Sequence, residues 1–370
     1  MNNLASITHT RAENLKEAWK RIASAKPGIR IREAAQLLDA SEAELLATTI
    51  GEICVRLEGK WPELVYRWKE LGYVMSLTRN DACILEHKGS FQKVNTYGEG
   101  EKAIGTVIGP IETRVFYKNW HVVFAIQQEK KGKNLQSIQV FDKAGDAITK
   151  IYLQKKHKRK SNEAAYHQII EDFRSSDQSP EQLVTPYTDE VFDSEIDYEA
   201  FLEDWGSLQD THDFFPMLRK HKIHRFHALE LAVEKYTYQI RPDAVQTILE
   251  EVAATQLPIM IFAGNKGNLQ IHQGKVRTIR MLERVTPDRG HTGAEKWLNV
   301  LDPDFNMHLR MDLVDTAWVV KKPTADGIVT AVELFDAQKN LIAQFFGLRK
   351  PGIPQRETWT QLIAALPRLE

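Results

Sequence analysis

Val74-Met75-Ser76-Leu77-Thr78-Arg79-Asn80 leading to Ile84-Leu85-Glu86-His87-Lys88-Gly89 aligns without a gap to Ile259-Met260-Ile261-Phe262-Ala263-Gly264-Asn265 leading to Leu269-Gln270-Ile271-His272-Gln273-Gly274. Methionine (75 and 260), asparagine (80 and 265), histidine (87 and 272) and glycine (89 and 274) coincide at a constant offset of 185. Further on, Val140-Phe141-Asp142 with Ile151-Tyr152-Leu153-Gln154-Lys155-Lys156 matches Leu334-Phe335-Asp336 with Phe345-Phe346-Gly347-Leu348-Arg349-Lys350 at an offset of 194 (141 to 335, 152 to 346). Trp120 and Trp318 fall between the blocks. Self-similarity on this scale means that one structural unit is used twice. The offset grows near Thr286-Pro287-Asp288-Arg289-Gly290-His291-Thr292-Gly293, a loop by composition.

Each copy reads as helices first and strands second. Arg32-Glu33-Ala34-Ala35-Gln36-Leu37-Leu38 has a helical pattern, Ser41 precedes Glu42-Ala43-Glu44-Leu45 as an N-cap with an acid three residues on, and Trp61-Pro62-Glu63-Leu64 starts another helix. Beyond residue 73 the pattern changes to short alternating runs. Tyr73 to Thr78 and Ala82 to His87 flank Arg79-Asn80-Asp81 as a hairpin, then Arg114 to Phe116, Val122 to Gln127 and Ser137 to Phe141 follow, with a turn at Lys130 to Asn134. A helix from Glu163 to Phe173 closes the copy. Strands joined directly to strands predict α+β, an internal duplication in which each repeat has N-terminal helices and a large antiparallel sheet. The polar stretch Ser175 to Glu181 and the acidic stretch Asp189 to Glu203 suggest a first repeat over 1–178, an acidic linker over 179–204 and a second repeat over 205–370. The two copies are expected to frame a cleft for a flat ligand.

The 370 residues are enough for two cores, and 42% hydrophobic with 27% charged residues is ordinary globular usage. No stretch approaches the ~18–20 apolar residues that cross a bilayer, and Met1 to His9 lacks the pattern of a secretory leader. A cytoplasmic location without membrane insertion is expected. Cys54 and Cys83 are far apart and outside any Cys-x-x-Cys spacing, which excludes a zinc ribbon and covalent haem attachment and leaves two buried thiols. The formal charge is −1, so nucleic acid is not an expected partner. The one basic run, Lys155-Lys156-His157-Lys158-Arg159-Lys160, reads as a solvated loop.

The most distinctive chemistry lies in Asp210-Thr211-His212-Asp213-Phe214-Phe215-Pro216-Met217-Leu218-Arg219-Lys220. A histidine beside two phenylalanines suits a haem, whose iron takes a neutral imidazole and whose macrocycle needs apolar walls. The same residues also read as a helix start capped by Asp210 or Thr211. His221, His224 and His227 recur at three-residue spacing and would share one helix face if the helix were continuous. His87 and His272 fall on strands and are expected to serve the sheets.

Several stretches resemble the haem-utilisation proteins HemS, ChuS and PhuS, and the resemblance runs over nearly the whole chain. Its carriers are Lys26-Pro27-Gly28, Ala40 to Leu45, Thr78-Arg79-Asn80, Thr211 to Phe215, Ile259 to Gly267, Lys322-Pro323-Thr324-Ala325-Asp326-Gly327 and Ile342 to Arg349. It implies that His212 ligates the iron of haem b. It also implies that Arg114, Arg225, Lys322 and Arg349 hold the porphyrin, as cations do at the propionates. It breaks any helix near His224. Where the family carries a tyrosine this chain has Phe346, and where it carries a glutamine this chain has Phe226. A distal phenol is therefore missing, and no catalytic residue is singled out.

Two functions follow from the resemblance. One is a carrier in a bacterial haem-uptake and iron-acquisition system, a monomer or weak dimer that takes haem from an inner-membrane importer and passes it to an acceptor such as a haem oxygenase. The other is a haem-degrading enzyme fed by an external reductant, since Gly264-Asn265-Lys266-Gly267 is a turn and not a nucleotide-binding fingerprint. The loss of the phenol favours carriage.

Overall fold

Helix and strand order follow the repeat. The structure is a computed structural model that describes residues 10–130, 132–156, 159–188, 195–284, 294–349 and 352–369. The first copy begins with α1 (Arg11–Ala25), α2 (Ile31–Leu37), α3 (Glu42–Ala47), β1 (Cys54–Leu57) and α4 (Trp61–Arg67). Strands β2 (Val74–Arg79), β3 (Cys83–Gly89), β4 (Lys93–Tyr97), β5 (Ile104–Ile108), β6 (Glu112–Phe116), β7 (Val122–Lys130), β8 (Lys133–Phe141) and β9 (Ala147–Leu153) come next. The ribbon β10 (Lys155–Lys156) and β11 (Arg159–Lys160) leads into α5 (Glu163–Phe173). The second copy opens with α6 (Tyr198–Gly206), α7 (Phe214–Lys220), α8 (Arg225–Leu231), β12 (Thr237–Ile240) and α9 (Ala244–Ala254). It continues through β13 (Ile259–Gly264), β14 (Asn268–Gly274), β15 (Ile279–Arg284), β16 (Glu295–Leu301), β17 (Phe305–Arg310), β18 (Thr316–Lys322), β19 (Val329–Phe335) and β20 (Leu341–Gly347) to α10 (Glu357–Ala364). The long ladders are antiparallel, so the α+β duplication is the observed architecture.

Local signals explain the helix starts. Ser41 Oγ accepts the Glu44 N–H at 3.1 Å while Glu44 Oε2 accepts the Ser41 N–H at 2.8 Å, a capping box worth about 1 kcal/mol. Pro62 sits in the first turn of α4, where a missing N–H costs nothing. The basic run departs from the expected loop. Lys155 pairs with Lys160 and Lys156 with Arg159 across a short ribbon, because Ser161 Oγ accepts the Gln154 N–H and donates to the Tyr73 carbonyl, pinning both ends. His157 and Lys158 at its tip, the N-terminal stretch, residue 131 of the expected turn, residues 189–194 of the acidic stretch and the loop expected at 286–293 lie outside the described residues.

The chain forms two compact units. The first takes the chain through Leu77, then Lys88–Thr188 and Lys266–Asn268, and the second takes Thr78–His87, Asp189–Asn265 and Leu269 onward. In the first unit β1, β7, β8 and β9 pair in that order, β4, β5 and β6 form a meander, and Trp68 stacks on Trp120 at 5.7 Å beside Leu64, Val123 and Tyr166. Gly267 lies here because its carbonyl accepts the Phe116 N–H at 3.0 Å and the Trp120 indole N–H at 3.1 Å. A Cβ at Gly267 would meet Ile148 Cδ1 at 2.4 Å, so Ile148 would have to move to admit a side chain.

In the second unit β12, β18, β19, β20, β13 and β14 pair in order, and β3 joins β17, β16 and β15. One face of the larger array packs Ile261, Val319, Val332 and Phe345 against α9 and Trp359 of α10. Burying a side chain such as Phe345 contributes about 1.5–3 kcal/mol. Trp318, Val320 and Phe335 project from the opposite face into α6, α7 and α8. Among the described residues no helix is long and apolar enough to cross a membrane. Cys54 and Cys83 are free and buried, and burial pushes both thiols up to about 12, leaving them inert as read.

Candidate functional site

His212 sits in a single turn of 3-10 helix, Thr211–Asp213, that runs directly into α7. Asp210 caps this turn and does more than cap it. Its Oδ1 accepts the His212 backbone N–H at 2.8 Å and lies 2.5 Å from the ring Nδ1, so we assign the ring proton to Nδ1 and the lone pair to Nε2. The imidazole side chain is 88% exposed. It therefore presents a fixed, basic nitrogen outward, as metal-ligating histidines do. Burial pushes the Asp210 carboxyl up, but its hydrogen bonds from His212 and the nearby Arg349 outweigh this and hold it below the ordinary carboxylate range. Arg349, largely buried just beyond β20, places Nη2 3.8 Å from Asp210 Oδ2.

Behind Phe214, the first residue of α7, the second unit buries a cluster of charges. Glu333 of β19 is fully buried and accepts from Arg225 Nε and Nη2, both at 2.7 Å, from Lys322 Nζ at 3.0 Å and from Gln344 Nε2 at 2.9 Å. Burial pushes the Glu333 carboxyl up, yet Arg225 and Lys322 hold it far below its usual value. Burial and the neighbouring Arg225 pull Lys322 down to about 8 against the opposing pull of Glu333. Lys322 Nζ and the Arg225 guanidinium lie 4.3 and 5.1 Å from the centre of the Phe214 ring. Phe214 thus packs inward, edge-on to Trp205, whereas Phe215 is exposed under Arg219.

Phe346 is buried opposite Met260 and Ala331 on the neighbouring strands, edge-on to Phe262 at 5.0 Å, in an apolar cluster with Val329 and Leu348. The second unit therefore contains His212, Arg225, Lys322, Phe346 and Arg349. Arg114 belongs to the first unit, on β6, with Nη2 3.0 Å from Glu112 Oε1. Phe226 packs edge-on between Trp318 and Phe335 in the core.

Four other histidines have structural places, while His227 on α8 is exposed. His221 caps the end of α7 with Nε2 2.6 Å from Asp204 Oδ2, and His224 caps the start of α8, so the expected helix break is present. Among the described residues no group of three metal-ligating side chains occurs. His87 and His272 are buried and stacked at 5.6 Å, with Phe305 against both. Gln270 Nε2 donates to His87 Nδ1 at 2.8 Å, and both Nε2 atoms lie buried without a hydrogen-bond partner. Burial holds His87 down to about 3, helped by His272, and His272 down to about 4, so both are neutral.

Three participants escaped the sequence reading. Asp210 was visible as a cap but not as the partner of the ring, although an acid two residues before a candidate ligand is a signal worth testing. Glu333 is the one charge in the otherwise uncharged run Val329 to Phe335, and a lone acid in a strand buried at every position demands a partner. Gln344, opposite it across the ladder, had no signal of its own.

An exposed nitrogen ligand, an apolar aromatic cluster and buried cations form a donor set that fits haem, and comparison with known proteins agrees. The profile of the haemin-degrading HemS.ChuX domain matches residues 39–173 and again 222–366. Hemin transport protein HemS of Yersinia enterocolitica is 30% identical over 358 residues, 96% of this chain and 98% of that protein. The crystal structure of holo-PhuS, a haem-binding protein from Pseudomonas aeruginosa, is 36% identical, covers 98% of this chain and 100% of its own, and superposes with a TM-score of 0.88. ChuS, an E. coli haem oxygenase, is 28% identical over 95% of this chain and 99% of its own, with a TM-score of 0.80. The resemblance read from the motifs is borne out.

Proposed function

Because the chain belongs to the family of haemin-degrading HemS.ChuX domains, we propose that it binds haem b through His212 and carries it, in the cytoplasm, from an importer to an acceptor such as a haem oxygenase. One observation carries this reading. His212 Nδ1 is tied to Asp210 while the ring stands exposed, so Nε2 is available to iron without rearrangement of the turn. A single protein ligand on an accessible turn suits a cargo that must be released again. Arg349, Arg225, Lys322 and Arg114 are the proposed partners of the anionic rim, and Phe346 is an apolar contact on the macrocycle. Haem supplies an iron that can activate dioxygen when reduced. The chain's own part is to hold and orient it.

Degradation of haem with an external reductant is the second reading, favoured by the similarity to ChuS. Against it stands Phe346, which puts a ring without a hydrogen-bond donor into an apolar cluster where the resemblance places a phenol. Reconstituted protein is treated with ascorbate in air with catalase present, and the Soret band is followed. Carriage predicts a band that persists and moves to an added acceptor. Loss of the band with a biliverdin-like product would replace carriage by degradation.

A further inference from the structure

Glu333 is buried where an apolar residue would be cheaper, and it gathers two cations onto one carboxylate. We propose that Glu333 is a positioning residue, one that holds Arg225 and Lys322 as a preformed receptor for a carboxylate of the bound tetrapyrrole. The proposal rests on the haem reading above and assigns a task to a residue outside it.

The duplication supplies an internal control. At the offset of 194, Glu333 and Gln344 correspond to Gln139 and Lys150, and the two pairs face each other in the same way, across β19 and β20 in one unit and across β8 and β9 in the other. The helix beside each pair also corresponds. Glu42 follows the Ser41 cap of α3 as Arg225 follows the His224 cap of α8. In the first copy Glu42 binds Lys150, both buried, and one anion on one cation closes the cluster as neutral. In the second copy the signs are inverted and the count changes. Arg225 stands for the acid, Glu333 for the amide, and Lys322 is added where the first copy has the exposed Gln128.

Two cations on one carboxylate leave a buried surplus of one positive charge, an arrangement that costs free energy until an anion joins it. Burial, with a smaller contribution from Arg225, depresses the Lys322 ammonium even though Glu333 pulls the other way. Arg225 spends two N–H groups on Glu333 and keeps its remaining donors, on a side chain that is 24% exposed and so reachable from outside. Both cations rest on Phe214, which starts α7 immediately after the His212 turn. Receptor and iron ligand therefore share one anchor. A ligand carboxylate would complete a two-to-two cluster there.

The test compares haem with its dimethyl ester, which lacks both carboxylates, by Soret titration between pH 6 and 9. Wild type should favour the free acid by roughly tenfold or more, the worth of one charge-assisted hydrogen bond. The preference should fade above pH 8 as Lys322 loses its proton. The groups facing that ammonium are Glu333 from β19 and Arg225 from α8, with the uncharged Phe214 and Phe346 also near it. Glu333→Gln should lose most of the preference, and what remains should fade at lower pH, because the pull of Glu333 on the Lys322 proton is gone. Binding of the ester should persist. The double change Glu333→Gln with Gln344→Glu returns a carboxylate to the same cross-strand pair and should restore the preference. Lys322→Met removes only the surplus cation, leaves Arg225 and Glu333 paired, and should also lose it, which keeps the test open if Glu333→Gln fails to fold. A folded Glu333→Gln or Lys322→Met protein with the wild-type ratio and pH profile would overturn the proposal, as would a wild type that binds acid and ester equally. A wild type that binds neither refutes the haem reading instead.

Discussion

Replacing Asp210 with asparagine separates the two tasks of this side chain. Asparagine is as good an N-cap as aspartate, so the 2.8 Å bond from the His212 N–H survives and the start of α7 should keep its stability. What changes is the partner of the ring, which turns from a carboxylate held ionised into a neutral amide oxygen. A charge-assisted hydrogen bond is worth about 1.5–3 kcal/mol and a neutral one about 0.5–1.5, so the substitution removes roughly 1–1.5 kcal/mol of ligand orientation and basicity. At about 1.4 kcal/mol per factor of ten, haem should bind some 5- to 12-fold more weakly. Asp210→Ala removes the cap and the ring partner together, and the loss should approach the 10- to 100-fold typical of groups that orient metal ligands. Haem dissociation is followed by transfer to an excess of an apo-globin, with thermal melts run in parallel. An Asp210→Asn protein that binds as tightly as wild type, or whose weakening is matched by a loss of protein stability, would show that the carboxylate does not act through the ring.

Two further outcomes are expected. The folded state keeps His87 and His272 at about 3 and about 4 against an ordinary value of 6.5, so between those limits the unfolded chain takes up protons that the folded one refuses. Stability is fully present above pH 6.5 and falls as the pH drops toward 4, by about 1.4 kcal/mol per pH unit for each ring. Urea midpoints from pH 7 to 4 should decline less steeply in a His87→Gln, His272→Gln double variant, and parallel curves would show that the pair does not set the acid sensitivity. Phe346→Tyr brings a phenol to the position where the resemblance expects one, and ascorbate-driven bleaching of bound haem should accelerate. An unchanged rate would remove Phe346 from the haem's distal side.

Much of this was legible because it is local or repeated. The duplication showed in Met75 and Met260, Asn80 and Asn265, Gly89 and Gly274, and the capping box at Ser41 and Glu44 was written in four residues. The exchange of Thr78–His87 and Lys266–Asn268 into the opposite units was not legible, since the same alternation of apolar residues serves a strand wherever it pairs. Of the site, His212 and the cations could be named from the resemblance, but their partners depend on register. Glu333 meets Gln344 only because β19 and β20 pair as they do, and Lys322 reaches Glu333 only across the next ladder. Asp210 reaches the ring because the turn is 3-10, a local conformation that three polar residues and a histidine do not announce.

Coordination of the iron by His212 Nε2 is the step on which haem carriage depends. It is tested most directly by titrating haem into wild type and His212→Gly, with and without added imidazole, while recording the Soret band and the Kd. The variant should show a shifted band and at least about tenfold weaker binding, with imidazole restoring the wild-type spectrum in the vacated place. A His212→Gly protein with the wild-type band and Kd would contradict it.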